Sequence, residues 1–299
     1  MLELFNKKRK KIPHIGVGTY PFQGRVMANL VKDAVNVGYR LFDTSDDYRG
    51  ESGIGLAIKE FADEKVISRE DLFIQTKISD NNAYAYEPLK GKYFNPNSKV
   101  MQRHTVSEIV REKVEVSLRE LGTNYLDSLL IHYPFPYYTI DIWKEFIKLK
   151  EEGVVRYIGV SNFNERHIAE LIDNTGVAPE INECYASPIG TKQSLVDYCE
   201  QNNCLFVTYS PLMDLSHGVI PKDKLQPIAD KYGKSLAQIV LRWNVERGCL
   251  PLPKTRNPRR LAENFDIFDF VLSKEDAEKI SALNFDYQYI VESRTCPGL

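Results

Sequence analysis

The sequence predicts an α/β protein, specifically a closed (β/α)8 barrel of the TIM-barrel class with extra loops and a C-terminal tail over one mouth. Three observations carry this. Short apolar runs alternate with longer amphipathic stretches along nearly the whole chain. Eight runs can be counted, each apolar enough for a parallel strand covered on its outer face. The length, 299 residues, suits one barrel of roughly 250 residues plus excursions.

The elements follow in order. IGVGT (15–19) is the first strand. RVMANLVKDAVNVG is a helix that stops at Gly38, a natural C-cap. RLFDT (40–44) is a strand and ESGIGLAIKEFAD a helix. DLFIQTK (71–77) is a strand ending in Lys77, TVSEIVREKVEVSLRELG a strongly periodic helix closed by Gly122, and YLDSLLIH (125–132) a strand ending in His132. The second half repeats the rhythm. IDIWKEFIKLKEEG precedes VVRYIGVS, NERHIAELIDN precedes PEINECY, KQSLVDYCEQNN precedes CLFVTYS, and SLAQIVLRWNVERG precedes CLPLPK. RRLAENFDIF closes the series as a helix. An open doubly wound sheet is the competing arrangement. It would carry a glycine-rich fingerprint after the first strand, but Gly16-Val17-Gly18 supplies only its opening and Pro21 stands where the third glycine belongs. Two stretches break the rhythm: 78–104, read as a substrate lid or wall, and the tail NFDYQYIVESRTCPGL. No linker is evident, so 1–299 is read as one domain.

Composition narrows the function classes. The chain is 43% hydrophobic and 27% charged with a formal net charge of -2, which gives no general pull toward nucleic acid or anionic membrane. The basic run Lys7-Lys8-Arg9-Lys10-Lys11 has no second cluster to support it and reads as a solvated segment. Five cysteines without a C-x-x-C, and no apolar leader, predict a reduced, cytoplasmic protein. Histidines and cysteines never fall at zinc-ligand spacing, and no run approaches the roughly 18–20 apolar residues of a membrane span.

In a barrel the C-terminal strand ends share one mouth, where active sites sit. The polar residues there are Asp43, Lys77, His132, Ser161-Asn162, Asn182-Glu183, Tyr209-Ser210 and Lys254-Thr255. Tyr48 lies on the loop after Asp43, within reach of the same mouth. Asp46 and Asp47 read as solvated loop acids.

These residues lie in the motifs GYRLFDTSDDY with ESGIG, FIQTK, LDSLLIHYP, RYIGVSNF, PEIN, TYSPL and LPKTRNPRRLAENFDIFDFVLSKED. In order and at strand ends, these resemble the aldo-keto reductase family over about residues 15–285. The resemblance implies a catalytic tetrad of Asp43, Tyr48, Lys77 and His132. It implies NADPH as cofactor, with Thr19, Ser161, Asn162, Glu183 and Tyr209 around the nicotinamide and Ser210 and Leu212 along the pyrophosphate. Lys254, Thr255 and Arg260 would hold the 2′-phosphate, with Glu263 and Asn264 near the adenine. Tyr20 and Tyr133 stand where many members carry a pocket tryptophan. The implied activity is reduction of an aldehyde or ketone, with a small-molecule carbonyl as the only partner. A monomer is compatible with it.

The residue types suit that chemistry. Carbonyl reduction needs a hydride and a proton. A free phenol ionises near pH 10, and an ammonium about 4 Å away favours the phenolate by up to roughly 4 kcal/mol. Asp43 would hold Lys77, and a neutral His132 would orient the substrate oxygen. Arg259 and Arg260 oppose the dipole of the helix they begin, which an anion there would explain. One position departs from the family: Glu183 replaces the usual glutamine. If ionised it only accepts hydrogen bonds, and its charge would favour NADP+ over NADPH. Two other readings compete, a nucleotide-binding sensor like the potassium-channel β-subunits, and a barrel hydrolase or isomerase without nicotinamide. The complete tetrad opposes the first and the stretch from Lys254 to Asn264 the second.

Overall fold

The structure is a computed structural model that describes residues 12–80, 92–135 and 137–288. Eight parallel strands form one sheet in sequence order: β1 (Val17–Gly18), β2 (Leu41–Asp43), β3 (Phe73–Ile78), β4 (Leu126–Ile131), β5 (Val155–Ser161), β6 (Ile181–Tyr185), β7 (Leu205–Tyr209) and β8 (Leu250–Leu252). The amides of Gly16 and Gly18 donate to the carbonyls of Pro251 and Pro253 at 3.1 and 3.2 Å, which brings the last strand back to the first. Gly16 is closely packed at this seam. A Cβ there would lie 2.3 Å from Leu41 Cδ2 and 2.6 Å from Leu252 Cδ2. The G-x-G of the first strand therefore serves barrel closure.

Helices occupy the connections: α1 (Gly24–Val37), α2 (Glu51–Glu64), α3 (Val106–Leu121), α4 (Thr139–Glu151), α5 (Glu165–Thr175), α6 (Gln193–Gln201), α7 (Met213–Ser216), α8 (Lys222–Tyr232), α9 (Leu236–Glu246), α10 (Pro258–Phe265) and α11 (Lys274–Ser281). Their ends follow local chemistry. Thr105 and Glu108 form a capping box at the start of α3, and Gly122, at φ 66°, ends it. The strands expected from sequence all form, trimmed by one to three residues at most ends. Three helices were not anticipated: α7, α8 with Pro227 inside it, and α11.

Strand alternation separates two cores. Phe42, Ile74, Leu129 and Ile131 face the helices in the main cluster. Their neighbours Leu41, Phe73 and Leu130 join Ile181, Leu205, Val207, Leu250 and Leu252 in a separate cluster that fills the barrel. Toward the C-terminal strand ends the barrel filling turns polar, which sets up the site.

The stretch 78–104 falls partly outside the described residues. In its described part the Asp80 carboxylate accepts from the amides of Tyr93 and Phe94 at 2.6 and 3.2 Å, and Phe94 is buried against Phe135. The tail is described to Gln288, where the amides of Phe285 and Tyr287 donate to the Ile189 carbonyl. The basic run at 7–11 and Cys296 lie outside the described residues. The other four cysteines are buried. Among the described residues, no helix is long and apolar enough to cross a membrane, and no cluster could hold a metal ion.

Candidate active site

Asp43 is the last residue of β2, and Thr19 anchors it: the Thr19 amide and hydroxyl both donate to the Asp43 carbonyl, at 3.1 and 2.7 Å. One strand over, Lys77 is fully buried. Its ammonium pairs with the Asp43 carboxylate, donates to the Thr44 carbonyl at 3.1 Å, and lies 5.4 Å from the centre of the Tyr48 ring. Burial alone would lower the Lys77 pKa, but the Asp43 and Glu183 carboxyl groups outweigh it and the net direction is up. The lysine stays charged.

Tyr48 sits in a 3-10 turn, Asp46–Tyr48, capped by Ser45. Here one expectation is corrected. Asp46 is no solvated loop acid. Its carboxylate takes the Lys113 ammonium at 2.8 Å and the Ser79 amide at 3.1 Å, and so ties the turn to α3 and to the end of β3. Asp47 is half-buried, and its carboxyl is pushed up by that burial and by the neighbouring Asp46 charge. The acid-rich loop after β2 therefore divides its labour: Asp43 holds Lys77, and Asp46 holds the turn that presents Tyr48.

His132 follows β4 directly, and its amide donates to the Ile78 carbonyl at 3.1 Å. Its Nε2 lies 3.4 Å from the Tyr48 hydroxyl, and Tyr133 stacks on the ring at 4.6 Å and 15°. Burial and the Lys77 charge drive the imidazole pKa well below its usual value, so the ring is neutral. On its Nδ1 side stand two buried hydroxyls, Ser79 at 2.5 Å and Ser45 at 3.3 Å.

Glu183 reaches down into the barrel. Its Oε2 accepts from Gln75 Nε2 at 2.7 Å and lies 3.3 Å from Lys77 Nζ. Gln75 also donates to Asp43 at 2.9 Å and accepts from Ser128 at 3.0 Å. Two carboxyl groups thus face one ammonium in a dry place. Asp43 makes the shorter contact with Lys77. Burial and then the Asp43 charge push the Glu183 carboxyl well above its usual range. A carboxyl pushed in that direction holds a proton more readily than a free glutamate, which works against the negative charge expected beside the nicotinamide.

Around the mouth, Ser161 donates to the Glu183 carbonyl at 2.9 Å. Asn162, at φ 62°, donates to the His132 carbonyl at 3.0 Å and accepts from the Tyr209 hydroxyl at 3.0 Å. Asp43, Tyr48, His132, Thr19, Tyr20, Tyr133, Ser161, Asn162, Glu183, Tyr209, Ser210 and Lys254 all border one cavity of about 270 Å³, and Lys77 lies buried behind Asp43 without lining it. Leu212 does not border it; it packs between the main core and the cluster of α8 and α9. Thr255, Arg260, Glu263 and Asn264 lie farther along, on the β8–α10 loop and α10. There Asn257 caps α10, accepting from the amides of Arg259 and Arg260. Asn264 is buried, Arg260 is exposed, and neither Lys254 nor Arg260 forms an ion pair among the described residues. A dianionic group would find cations there not already neutralised by carboxylates, so this part of the chain fits a nucleotide phosphate. A larger hollow of about 590 Å³ opens at the opposite barrel end. Its Asp127 is paired with Arg156 at 2.9 Å and with the neighbouring Arg69 at 2.7 Å, and the hollow lies away from the strand ends that carry chemistry.

Sequence reasoning passed over Gln75, Ser45 and Ser79. A signal was present. Each lies two residues from Asp43 or Lys77, and the two-residue strand period puts such positions on one side.

Comparison with known proteins shows the family. The sequence model of the Aldo/keto reductase family matches residues 14–284. The chain is 34% identical over 275 residues to methylglyoxal reductase DkgA of Escherichia coli O157:H7, covering 91% of this chain and 90% of the relative. It is 35% identical over 277 residues to the glyoxal reductase of Bacillus subtilis (strain 168), covering 92% and 90%. The crystal structure of a Bombyx mori aldo-keto reductase in complex with NADP superposes with a TM-score of 0.78 at 29% identity, covering 94% of this chain and 92% of that one.

Proposed function

The chain belongs to the aldo/keto reductase family and is an oxidoreductase acting on carbonyl groups, and from that premise we propose that it reduces small aldehydes and ketones with NADPH, Tyr48 giving the proton. The observation that carries the reading is the pairing of the Tyr48 hydroxyl with His132 Nε2 at 3.4 Å, above a Lys77 ammonium held by Asp43. The dinucleotide, when bound, supplies the hydride. Every other step belongs to the chain. A carbonyl oxygen entering the cavity meets two donors, the phenol and the neutral imidazole. As negative charge grows on that oxygen, Tyr48 transfers its proton, and Lys77 stabilises the phenolate left behind. Asp43 keeps the ammonium in place. The tilted Tyr20 ring, 5.0 Å from Tyr48, and the Tyr133 ring stacked on His132 wall the entrance.

Ser161, Asn162, Glu183 and Tyr209 would surround the nicotinamide, Ser210 and Leu212 follow the pyrophosphate, Lys254, Thr255 and Arg260 hold the 2′-phosphate, and Glu263 and Asn264 border the adenine. The cavity of about 270 Å³ lies just below the range usual for ligand sites, about 300–1,000 Å³. The nicotinamide would share this cavity, and the space left beside it suits a compact carbonyl such as an α-dicarbonyl, the class named for the bacterial relatives. The test is a panel of glyoxal, methylglyoxal and bulkier aldehydes, followed by loss of NADPH absorbance. The small dicarbonyls should give the highest kcat/KM. Dinucleotide binding without oxidation of NADPH by any carbonyl would refute the proposal.

A further inference from the structure

We propose that Ser45 and Ser79 are positioning residues that set the tautomer of His132, keeping its proton on Nε2 so that the ring donates to the substrate oxygen. The inference rests on the reading of His132 as a donor in carbonyl reduction.

A neutral imidazole has one N–H and one acceptor nitrogen, and whatever faces one nitrogen decides the state of the other. A backbone carbonyl or a carboxylate at Nδ1 would hold the proton there and leave Nε2 an acceptor. Among the described residues the polar groups at Nδ1 are instead hydroxyls: Ser79 Oγ at 2.5 Å and Ser45 Oγ at 3.3 Å. Hydroxyls can donate. The two serines stand 3.0 Å apart, and the Asp47 amide donates to Ser45 Oγ at 3.4 Å. The one hydrogen of Ser45 has three acceptors within reach, Ser79 Oγ at 3.0 Å, the Asp46 carboxylate at 3.3 Å and the Lys77 carbonyl at 3.4 Å; given to the nearest, it makes a directed chain from the Asp47 amide to Ser45, from Ser45 to Ser79, and from Ser79 to Nδ1. Each serine in it both gives and receives. Both serines are buried, 0% and 1% exposed, so bulk water does not compete for the ring nitrogen.

The opposite direction conflicts with the chemistry. With Nδ1 protonated, Nε2 would accept the Tyr48 hydroxyl proton 3.4 Å away. The phenol would then point its only hydrogen at the imidazole and away from a carbonyl. The other groups around the ring do not reverse this. Lys77 opposes a second proton, the Tyr133 ring covers one face, and Asp46 holds the serines without contacting the imidazole. Its carboxylate takes the Ser79 amide at 3.1 Å, lies 3.3 Å from Ser45 Oγ, and is itself held by Lys113 at 2.8 Å.

The test is nitrogen-15 NMR of the full chain labelled at histidine, with the His132 signals identified from a His132→Gln control. In the wild type the one-bond N–H coupling should fall on Nε2. Ser79→Ala should move proton population to Nδ1 and lower kcat/KM by about two- to tenfold, the worth of one neutral hydrogen bond, chiefly in kcat. Ser45→Ala should act in the same direction more weakly, and Ser79→Thr, which keeps the hydroxyl, should restore both readouts. A wild-type proton on Nδ1 overturns the proposal, and needs no variant to fold. So does a Ser79→Ala protein with an unchanged tautomer. If the wild type reduced no carbonyl, the proposed function would fail while the tautomer measurement still gave its own answer.

Discussion

Replacing Glu183 by glutamine probes the most heavily loaded point of the buried network. In the folded chain the Glu183 carboxyl is driven well above its usual range by burial and by Asp43. In the unfolded chain it ionises near pH 4.3. Above that pH the folded state therefore binds a proton that the unfolded state has lost. Stability then falls as pH rises, by about 1.4 kcal/mol per pH unit, until the folded pKa is reached, and is flat beyond it. Glutamine copies the protonated acid. Its amide oxygen can accept from Gln75 Nε2, now 2.7 Å from Glu183 Oε2, and its NH2 can donate toward Asp43. Glu183→Gln should match wild type near pH 4.5 and gain on it steadily above. Urea unfolding at half-unit steps from pH 4.5 to 8 measures the difference. Parallel stability curves for the two proteins would refute a protonated Glu183. The ratio of NADP+ to NADPH affinities gives a second check: with a neutral Glu183 it should be the same in both proteins near neutral pH, and a drop in relative NADP+ affinity on substitution would show the carboxylate to be ionised.

Three further outcomes are expected. Tyr48→Phe should lower kcat by about 10²–10⁴ with the dinucleotide Kd nearly unchanged, measured by stopped-flow turnover and fluorescence titration; a smaller loss removes Tyr48 as proton donor. Lys254→Met should weaken NADPH by about 2–5 kcal/mol, the usual worth of a lost charged partner, and NADH far less, so equal losses would reassign the phosphate site. Gly16→Ala places a methyl 2.3 Å from Leu41 Cδ2 at the barrel seam and should lower unfolding free energy by about 1–3 kcal/mol; a variant with the wild-type denaturation midpoint would show that the seam can yield.

Strand order, helix order and the placement of polar residues at strand ends were legible in the chain alone. They depend on local periodicity, and a parallel sheet converts period into place: an acid ending one apolar run and a lysine ending the next must meet at one mouth. Asp43 and Lys77 do. The helices α8 and α11 were not legible. α8 carries Pro227 and lysines at both ends, and α11 is eight residues long, so their pattern is weak until Leu225, Ile228 and Ile280 find one another and Trp243 in the same cluster. The site divides in the same way. The identities of Tyr48 and His132 stand in the sequence, and their resemblance to a family gives them roles. Whether a buried acid is charged does not stand there. Asp43 and Glu183 are both carboxylic acids on neighbouring parts of the barrel, and the upward push on the Glu183 carboxyl comes from its burial and from the Asp43 beside it, because Coulomb energy and desolvation are set by neighbours in space. Asp46 read as solvated for the same reason: Lys113 lies 67 residues away in the chain and 2.8 Å away in the fold.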